Sequence, residues 1–593
     1  MSDRADATPS PPSRRRQAPF AHLAARPWLV ALAVLVAGHA VFVVARTYQP
    51  AGDWAFIDLR TSDVFSRHPP LTGAWSRYGW NHPGPALYLA LAGPMAITAG
   101  SWRGVWLGAV GLNVAALAVT FWLASRQGRL VVAAFAVAGL WTVATATPLL
   151  WSDPWNASIV VLPIVTMGAA VMAARSGDRR GVAVGVVVFV LVAQAHVAYG
   201  VLLAPAVGVV VVCGLRRWWR WTAGWLAAGA ALCAPIAVDT VVNWPGNLWR
   251  SLDFAVASDE PAVGVAEALR VVGRTASLSW FADARVPSFV SIVDATPWGV
   301  APFAALAALA AAWLLSHRRG WAALAHACEG AALSWVGAAV MTARTRGPLL
   351  VWLTTWTSAV GALTWSLVGA VLVRWALCRW WPVSAAAGHR RRVLGAAAVV
   401  VVTVGLAATN IVGSVGHPFP FQEQTPVIAQ FAGDARDLVD EPTMIDFAGD
   451  DYVGGAVQSG LIAALEADGG QPRGRPDQSL QLGEHRVADG AGARHLLVHV
   501  GSRASPPAGA EIVSVWDPLT PTERVEADAL TERLTTLLEG EGLAHRIDLL
   551  SGDLAPLAAI DAPPPVVAEQ AAFDRLGELH ARGRRVVLFS VGG

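Results

Sequence analysis

Lysine is absent from this 593-residue chain; all 44 basic residues are arginine. That excludes a phosphate-binding glycine loop ending in lysine. Cysteine is scarce too. The four present, Cys213, Cys233, Cys328 and Cys378, lie in or beside apolar stretches, and residues 414–593 have none. Neither a disulfide framework nor a cysteine metal site follows from them. They read as small core residues. Charge is thin at 15%, against about 25% in soluble proteins. No nucleophile elbow and no zinc-ligand spacing occurs.

Apolar residues fill the gap, at 54% with mean hydropathy +0.46. Stretches of about 20 apolar residues, each long enough to span a bilayer, recur through the first 413 positions. This excludes a soluble enzyme and a single-anchor protein. The charges divide sharply. Residues 1–413 hold 31 Arg against 15 acids, net +16, and residues 414–593 hold 13 Arg against 27 acids, net −14. An acidic tail argues against nucleic acid as a partner. Arginine without lysine, amid much Ala, Gly and Val, points to a GC-rich bacterial genome and so to a bacterial plasma membrane.

Residues 1–26, with Arg14-Arg15-Arg16 and Pro9, Pro11 and Pro12, read as a disordered basic cytoplasmic arm. Short Arg clusters at 126/129, 175–180, 216–220, 318/319 and 374–392 then punctuate the apolar stretches. The positive-inside rule places these clusters in the cytoplasm. Eleven spans result, at 28–46, 104–125, 130–149, 157–174, 181–199, 201–215, 221–242, 298–316, 321–342, 348–373 and 393–413. The fold class is a mainly α polytopic membrane domain (27–413) followed by an extracytoplasmic α/β domain (414–593). Two outer loops are expected, 47–103 and 243–297. The apolar segment 84–100 is short and carries Pro85, Gly93 and Pro94. Crossing there would invert every later cluster, so it reads as a juxtamembrane or re-entrant segment. In the tail, strands are predicted at Thr443–Ala448, His495–Val500, Ile512–Trp516 and Val586–Val591, and an amphipathic helix at Arg524–Glu539.

The first outer loop concentrates the chemistry. Asp53 follows the first helix by a few residues, and Asp58 and Arg60 come soon after. A carboxylate held at the membrane surface beside apolar protein has its pKa raised and suits a general base. The loop continues through Trp75, Arg77, Tyr78, Trp80, Asn81 and His82 to Pro83. Its aromatics suit either a sugar platform or an interfacial belt. Asp153, in Asp153-Pro154-Trp155-Asn156, is the only charge between Arg129 and Arg175. Such groups near a membrane interior are expensive and usually have a reason.

The strings Tyr78-Gly79-Trp80-Asn81-His82-Pro83-Gly84-Pro85 and Asp153-Pro154-Trp155-Asn156 resemble the GT-C superfamily of polytopic glycosyltransferases. The likeness is to relatives of protein mannosyltransferases and aminoarabinose transferases, in an actinobacterial branch. It covers residues 28–413 and is specific in the first 160. The resemblance implies that Asp53 is the catalytic base, that Asp58 matches a further loop acid, and that Asp153 is the second-loop acid. The place of a paired acid after Asp53 is taken by Trp54. The resemblance puts Asn81 and His82 near a lipid phosphate. In some relatives the two loop acids share a metal. Two carboxylates with one histidine are too thin a set to assign a cofactor, so a divalent metal stays open.

Other polar residues complete the expected site. Arg344 and Arg346 sit in a short outer loop, and arginine binds phosphate through a fork of donors. With Arg77, Asn81 and His82 they are the donor-binding candidates. Tyr78, Trp80 and His196 are the acceptor-binding candidates. His326 and Glu329 share a helix face and read as a mutually satisfied pair. Asp450-Asp451 reads as a helix cap. The expected activity is inverting transfer of a sugar from a polyprenyl-phosphate donor to an extracytoplasmic glycan, lipid or protein acceptor. The alternatives are a lipid or glycan transporter or flippase, and a non-catalytic scaffold of the same fold.

Overall fold

The structure, a computed structural model, describes residues 27–274, 301–380, 387–448, 452–488, 494–500, 509–543, 563–580, 582 and 585–591. The basic arm, the end of the second expected loop and the Asp450-Asp451 pair lie outside the described residues.

Helices occupy the apolar stretches. In chain order the first are α1 (Pro27–Ala45), α2 (Asp53–Ser62), α3 (Ala86–Ile97), α4 (Trp102–Ser125), α5 (Arg129–Thr145), α6 (Leu162–Arg175) and α7 (Arg180–Ala195). Then come α8 (Val197–Leu232), α9 (Ala234–Val242), α10 (Gly246–Ala257), α11 (Val265–Arg274), α12 (Ala301–Arg318), α13 (Ala322–Arg344), α14 (Trp356–Trp380) and α15 (Ala387–Val415). Nine of the eleven predicted stretches coincide with a helix each, whereas 201–215 and 221–242 share α8, the second running on into α9. Six of the helices among the described residues are long and apolar enough to cross a membrane. The chain is a multi-pass membrane protein.

Two details depart from the expected pattern. Residues 216–220 are helical rather than a loop, and α8 breaks only at Trp218, with φ −146° and ψ 54°. The chain doubles back there: a Cβ on Gly214 would meet Thr222 Oγ1 at 2.5 Å. His326 and Glu329 do not satisfy each other. Arg175 Nε donates to Glu329 at 2.7 Å, and His326 Nδ1 bonds Ser176 Oγ at 3.0 Å. Their partners come from the end of α6 and the residue after it, which the helix packing brings alongside α13. The leftover segment forms α3, 12 residues with Pro94 inside. At about 1.5 Å per residue it reaches about 18 Å, short of a bilayer core.

Two short strands, β1 (Trp75–Ser76) and β2 (Trp80–Asn81), pair antiparallel in the first loop. Gly79 closes their three-residue turn at φ +75°, where a Cβ would be strained. The tail carries a five-stranded sheet of β3 (Thr443–Phe447), β4 (Pro472–Arg473), β5 (Arg494–Val500), β6 (Ala510–Trp516) and β7 (Val586–Val591), in the order β4-β3-β5-β7-β6. β3 runs parallel to β4 and β5, while β7 is antiparallel to β5 and β6. The helices α16 (Thr425–Ala435), α17 (Tyr452–Ala467), α18 (Pro521–Gly540) and α19 (Gln570–His580) complete an α/β fold. The four predicted strands and the amphipathic helix are all present.

The core placement sets up the site. Helix α2 has two apolar faces. Trp54 and Ile57, three apart, join the core of the membrane helices. Ala55 and Leu59, four apart, join the tail's core with Val427, Phe431, Leu461 and Leu588. The tail therefore closes its own core with a piece of the first loop. A strap after α15 seals the junction. Phe419 stacks on Trp106, with ring centroids 3.9 Å apart. Phe421 leans on Gly52, where a Cβ would come within 2.7 Å of the ring. Gly52 holds φ +57° and its N–H donates to Ser459 Oγ of α17 at 2.8 Å.

Candidate active site

A cavity of about 900 Å³ opens between the membrane helices and the tail. Asp53 lies on its wall with Trp80, His82 and His196, and Arg344 and Arg475 also face it. Asp53 is the first residue of α2, after Gly52 at the N-cap. Its Oδ2 accepts from Trp155 Nε1 at 3.1 Å. Burial pushes its carboxyl up to about 6, although the indole bond pulls the other way.

The two loop acids exchange tryptophans. While Trp155 donates to Asp53, Trp54 Nε1 donates to Asp153 Oδ1 at 2.8 Å. The two indoles lie 5.5 Å apart. This reciprocal clasp ties the first loop to the second. Asp153 also accepts from Trp155 N at 3.0 Å and Ser158 Oγ at 2.6 Å. It is 6% exposed and absent from the cavity wall. Burial raises its carboxyl, against these three bonds. Asp153 orients the wall and does not face the space where a substrate would sit. The two acids thus do not converge on a shared ion. Among the described residues no group of three His, Cys, Asp or Glu side chains is placed to hold one.

Asp58 lies further along α2 and away from the cavity. Its Oδ1 is buried with no partner among the described residues, and burial pushes the carboxyl up to about 7.

The hairpin β1–β2 carries the remaining first-loop candidates. Arg77 donates to Tyr78 Oη at 2.7 Å and to Pro348 O at 3.1 Å. Tyr78 stacks on Phe254 of α10, with centroids 4.4 Å apart. Trp80 is 8% exposed, and its Nε1 has no partner among the described residues. Asn81 turns away from the cavity. Its N–H donates to Asn247 Oδ1 at 2.6 Å, and Asn247 Nδ2 donates back to Asn81 O at 2.7 Å. Its own Nδ2 reaches Thr72 Oγ1 and, in the tail, Leu480 O at 3.0 Å. Asn81 is a clamp between loop, α10 and tail. His82 accepts from Val197 N at 3.3 Å through Nδ1 and lies 4.4 Å from the His196 ring. Burial, then the neighbouring His196, holds it well below the usual imidazole range. It is a neutral group here.

The two arginines of the 344–346 segment differ. Arg346 donates to the carbonyls of Ala255, Val256, Ser258 and Glu260 at 2.8–3.1 Å. It caps the C-terminal end of α10. Arg344 ends α13, is exposed, and makes no hydrogen bond or ion pair among the described residues. The helix C-terminus favours a cation there. Of the two, Arg344 is the one able to take up an anion.

Several cavity residues escaped the sequence reading. Phe421, Tyr452, Arg475 and Gln481 face the same space from the strap and tail. Nothing local marks them, because 320 residues or more separate them from the first loop's motif. The alternating Asp-Trp and Asp-Pro-Trp strings were the one available sign of the indole exchange.

No protein-family model matches the chain, and no curated protein does. Solved structures similar to it include the following three. ArnT from Cupriavidus metallidurans bound to undecaprenyl phosphate is 15% identical, with TM-score 0.45, covering 81% of this chain and 92% of that one. The same protein in the apo state is 14% identical, with TM-score 0.44 and coverage of 81% and 93%. The archaeal oligosaccharyltransferase AglB from Archaeoglobus fulgidus, in complex with an inhibitory peptide and a dolichol-phosphate, is 12% identical, with TM-score 0.41 and coverage of 81% and 70%.

Proposed function

We propose that the chain is an extracytoplasmic glycosyltransferase that uses a polyprenyl-phosphate-linked sugar as donor. The observation that carries this reading is Asp53. It faces a large cavity, and its carboxyl is held near 6, so it is ionised at neutral pH yet basic enough to take a proton. In the reaction Asp53 removes the proton from an acceptor hydroxyl. The resulting oxygen attacks the anomeric carbon from the face opposite the phosphate. The bond from that carbon to the phosphate oxygen breaks, and the lipid phosphate leaves with its electron pair. Arg344, on the wall and without a partner among the described residues, meets the departing charge. A single displacement of this kind inverts the anomeric centre. The cavity sits where apolar helices meet a polar domain, which suits a donor with a lipid tail and a sugar head.

The test is transfer of labelled sugar from polyprenyl phosphate by the full chain in nanodiscs. Asp53→Asn is expected to lower kcat about a thousandfold with little change in donor KM, a magnitude ordinary for loss of a general base. Undiminished transfer by the Asn variant would sink the assignment. Movement of labelled lipid between leaflets without any glycosylated product would favour transport instead.

A further inference from the structure

We infer that the chain holds the headgroup of an anionic phospholipid at the end of the helix bundle away from the active-site cavity. Helix α7 shows where that end is. It runs from Arg180 to Ala195, next to His196 on the cavity wall. Its 16 residues, at about 1.5 Å each, put its start about 24 Å from that wall. A second hollow, of about 440 Å³, opens beside this start. It is bounded by the turn after α4, the turn between α6 and α7, and Trp218 at the break in α8. Arg126, Arg179 and Arg180 line it against a single acid, Asp178.

Asp178 does not exhaust these cations. Its Oδ2 accepts from Arg126 Nε at 2.8 Å, and its Oδ1 accepts from Arg180 N at 3.1 Å. The terminal nitrogens of Arg126 have no partner among the described residues. The Arg180 guanidinium stands 3.6 Å from Asp178 Oδ1, too far for a hydrogen bond. Arg179 lies over the Trp221 ring at 4.6 Å, and its side chain makes no hydrogen bond or ion pair among the described residues. All three arginines are exposed. Arg217, by contrast, is spent on the carbonyls of Ala174 and Arg175. Membrane topology asks for positive charge on one face of the bundle. It does not ask that three arginines wall one hollow with donors to spare. Arginine takes phosphate oxygens through a fork of donors, so a phosphate group is the match.

The surroundings assign that phosphate to a lipid. Trp122 is exposed and lies under Arg180, at 5.7 Å. Leu215 and Trp219, within one turn of Trp218 on α8, are exposed as well. Apolar helix surface and interfacial tryptophans beside a basic pocket are what acyl chains and an anionic headgroup need together. The hollow is also fixed in shape, as a recognition site must be. Trp221 Nε1 donates to Arg179 O at 3.1 Å, and Ser176 Oγ is bonded to His326 Nδ1 at 3.0 Å.

The experiment is native mass spectrometry of the full chain in an uncharged detergent. The probes are phosphatidylglycerol, phosphatidylcholine and inorganic phosphate. Phosphatidylglycerol is expected to be retained in preference to phosphatidylcholine. Arg179→Gln combined with Arg180→Gln is expected to weaken that retention about thirtyfold, at about fivefold for each arginine near a membrane surface. Phosphatidylcholine should be unaffected, which separates a lost site from a damaged fold. Lysine at both positions keeps the charge and is expected to recover most of the retention. Arg318→Gln combined with Arg319→Gln, exposed at the end of α12, removes equal charge away from the hollow and is expected to change little. Equal retention of the two lipids, indifference to the 179/180 glutamine pair, or an equal loss from the 318/319 pair overturns the proposal. So does a lysine pair that binds no better than the glutamine pair, or displacement of the lipid by inorganic phosphate. The two cavities share no lining residue, so each outcome stands apart from the Asp53 transfer result.

Discussion

Helix α2 and its boundary carry an acid at each end, and the protein treats the two in opposite ways. Asp53, at the start, faces the cavity with one indole N–H for company, and burial lifts its carboxyl to about 6. Asp63, just past the end, is 2% exposed. Burial would raise it too, but His485 and Arg486, with Arg60 beside them, overrule that and hold it below the usual carboxylate range. Arg486 grips Asp63 through both terminal nitrogens, at 2.7 and 2.8 Å, and also holds Glu466 of α17 at 2.6 Å. One end of ten residues keeps a proton within reach. The other is a fixed charge that anchors the first loop to the tail. Burial alone does not decide a carboxylate's role; the cations supplied to it do.

The largest expected effect comes from breaking the anchored end. Arg486→Met leaves Asp63 buried without its main partner, which typically costs about 3–5 kcal/mol. A fall in the unfolding temperature of the purified protein checks it, and an unchanged temperature would mean that the pair is idle. The double variant with Asp63→Asn is expected to recover part of the loss. Asp63's stabilisation is present above its unfolded pKa and fades as pH drops through its lower folded value.

The cavity end predicts the reverse sign. A carboxyl raised from 3.8 to about 6 opposes folding wherever it must ionise. Asp53→Asn is therefore expected to stabilise the protein by up to about 3 kcal/mol at about pH 8, fading toward pH 4. Unfolding measured at both pH values tests this, and equal effects at the two would contradict it. On the proposed mechanism, the same substitution that slows transfer about a thousandfold should make the protein more robust.

The smallest effect sharpens the comparison at Asp53 itself. Transfer is expected to rise with pH through about 6 as Asp53 ionises. Trp155→Phe removes the N–H that favours the ionised form, so this limb should move to higher pH, by less than about one unit. A shift downward would show that the indole bond does not act on the base.

Much of this was legible in the sequence, for reasons that differ by region. The spans were readable because arginine clusters break the apolar stretches between them, and the tail's strands because short apolar runs alternate with helical patterns. Asp53 stood out by its place just after the first helix, and the structure sets it on the cavity wall. What was missed depends on distance along the chain. Trp54 and Asp153 are 99 residues apart, and Asp63 and Arg486 are 423 apart. No local pattern encodes which partner a buried acid meets. Arg346 illustrates the opposite case: its position suggested a phosphate ligand, but carbonyls at and just after the end of α10 take four of its five N–H donors.

The tail's core, built partly from Ala51, Ala55 and Leu59, has a consequence in time. Those three residues leave the ribosome early, and Arg486 and Leu588 leave last. At about 5–20 residues per second, the first loop waits tens of seconds for its partners in the tail. Until then the α2 face of Ala55 and Leu59 has no core to join, and Asp63 has Arg60 but not Arg486. A ribosome that stalls in the tail therefore releases a membrane protein whose cavity lacks the wall that Arg475 and Gln481 line.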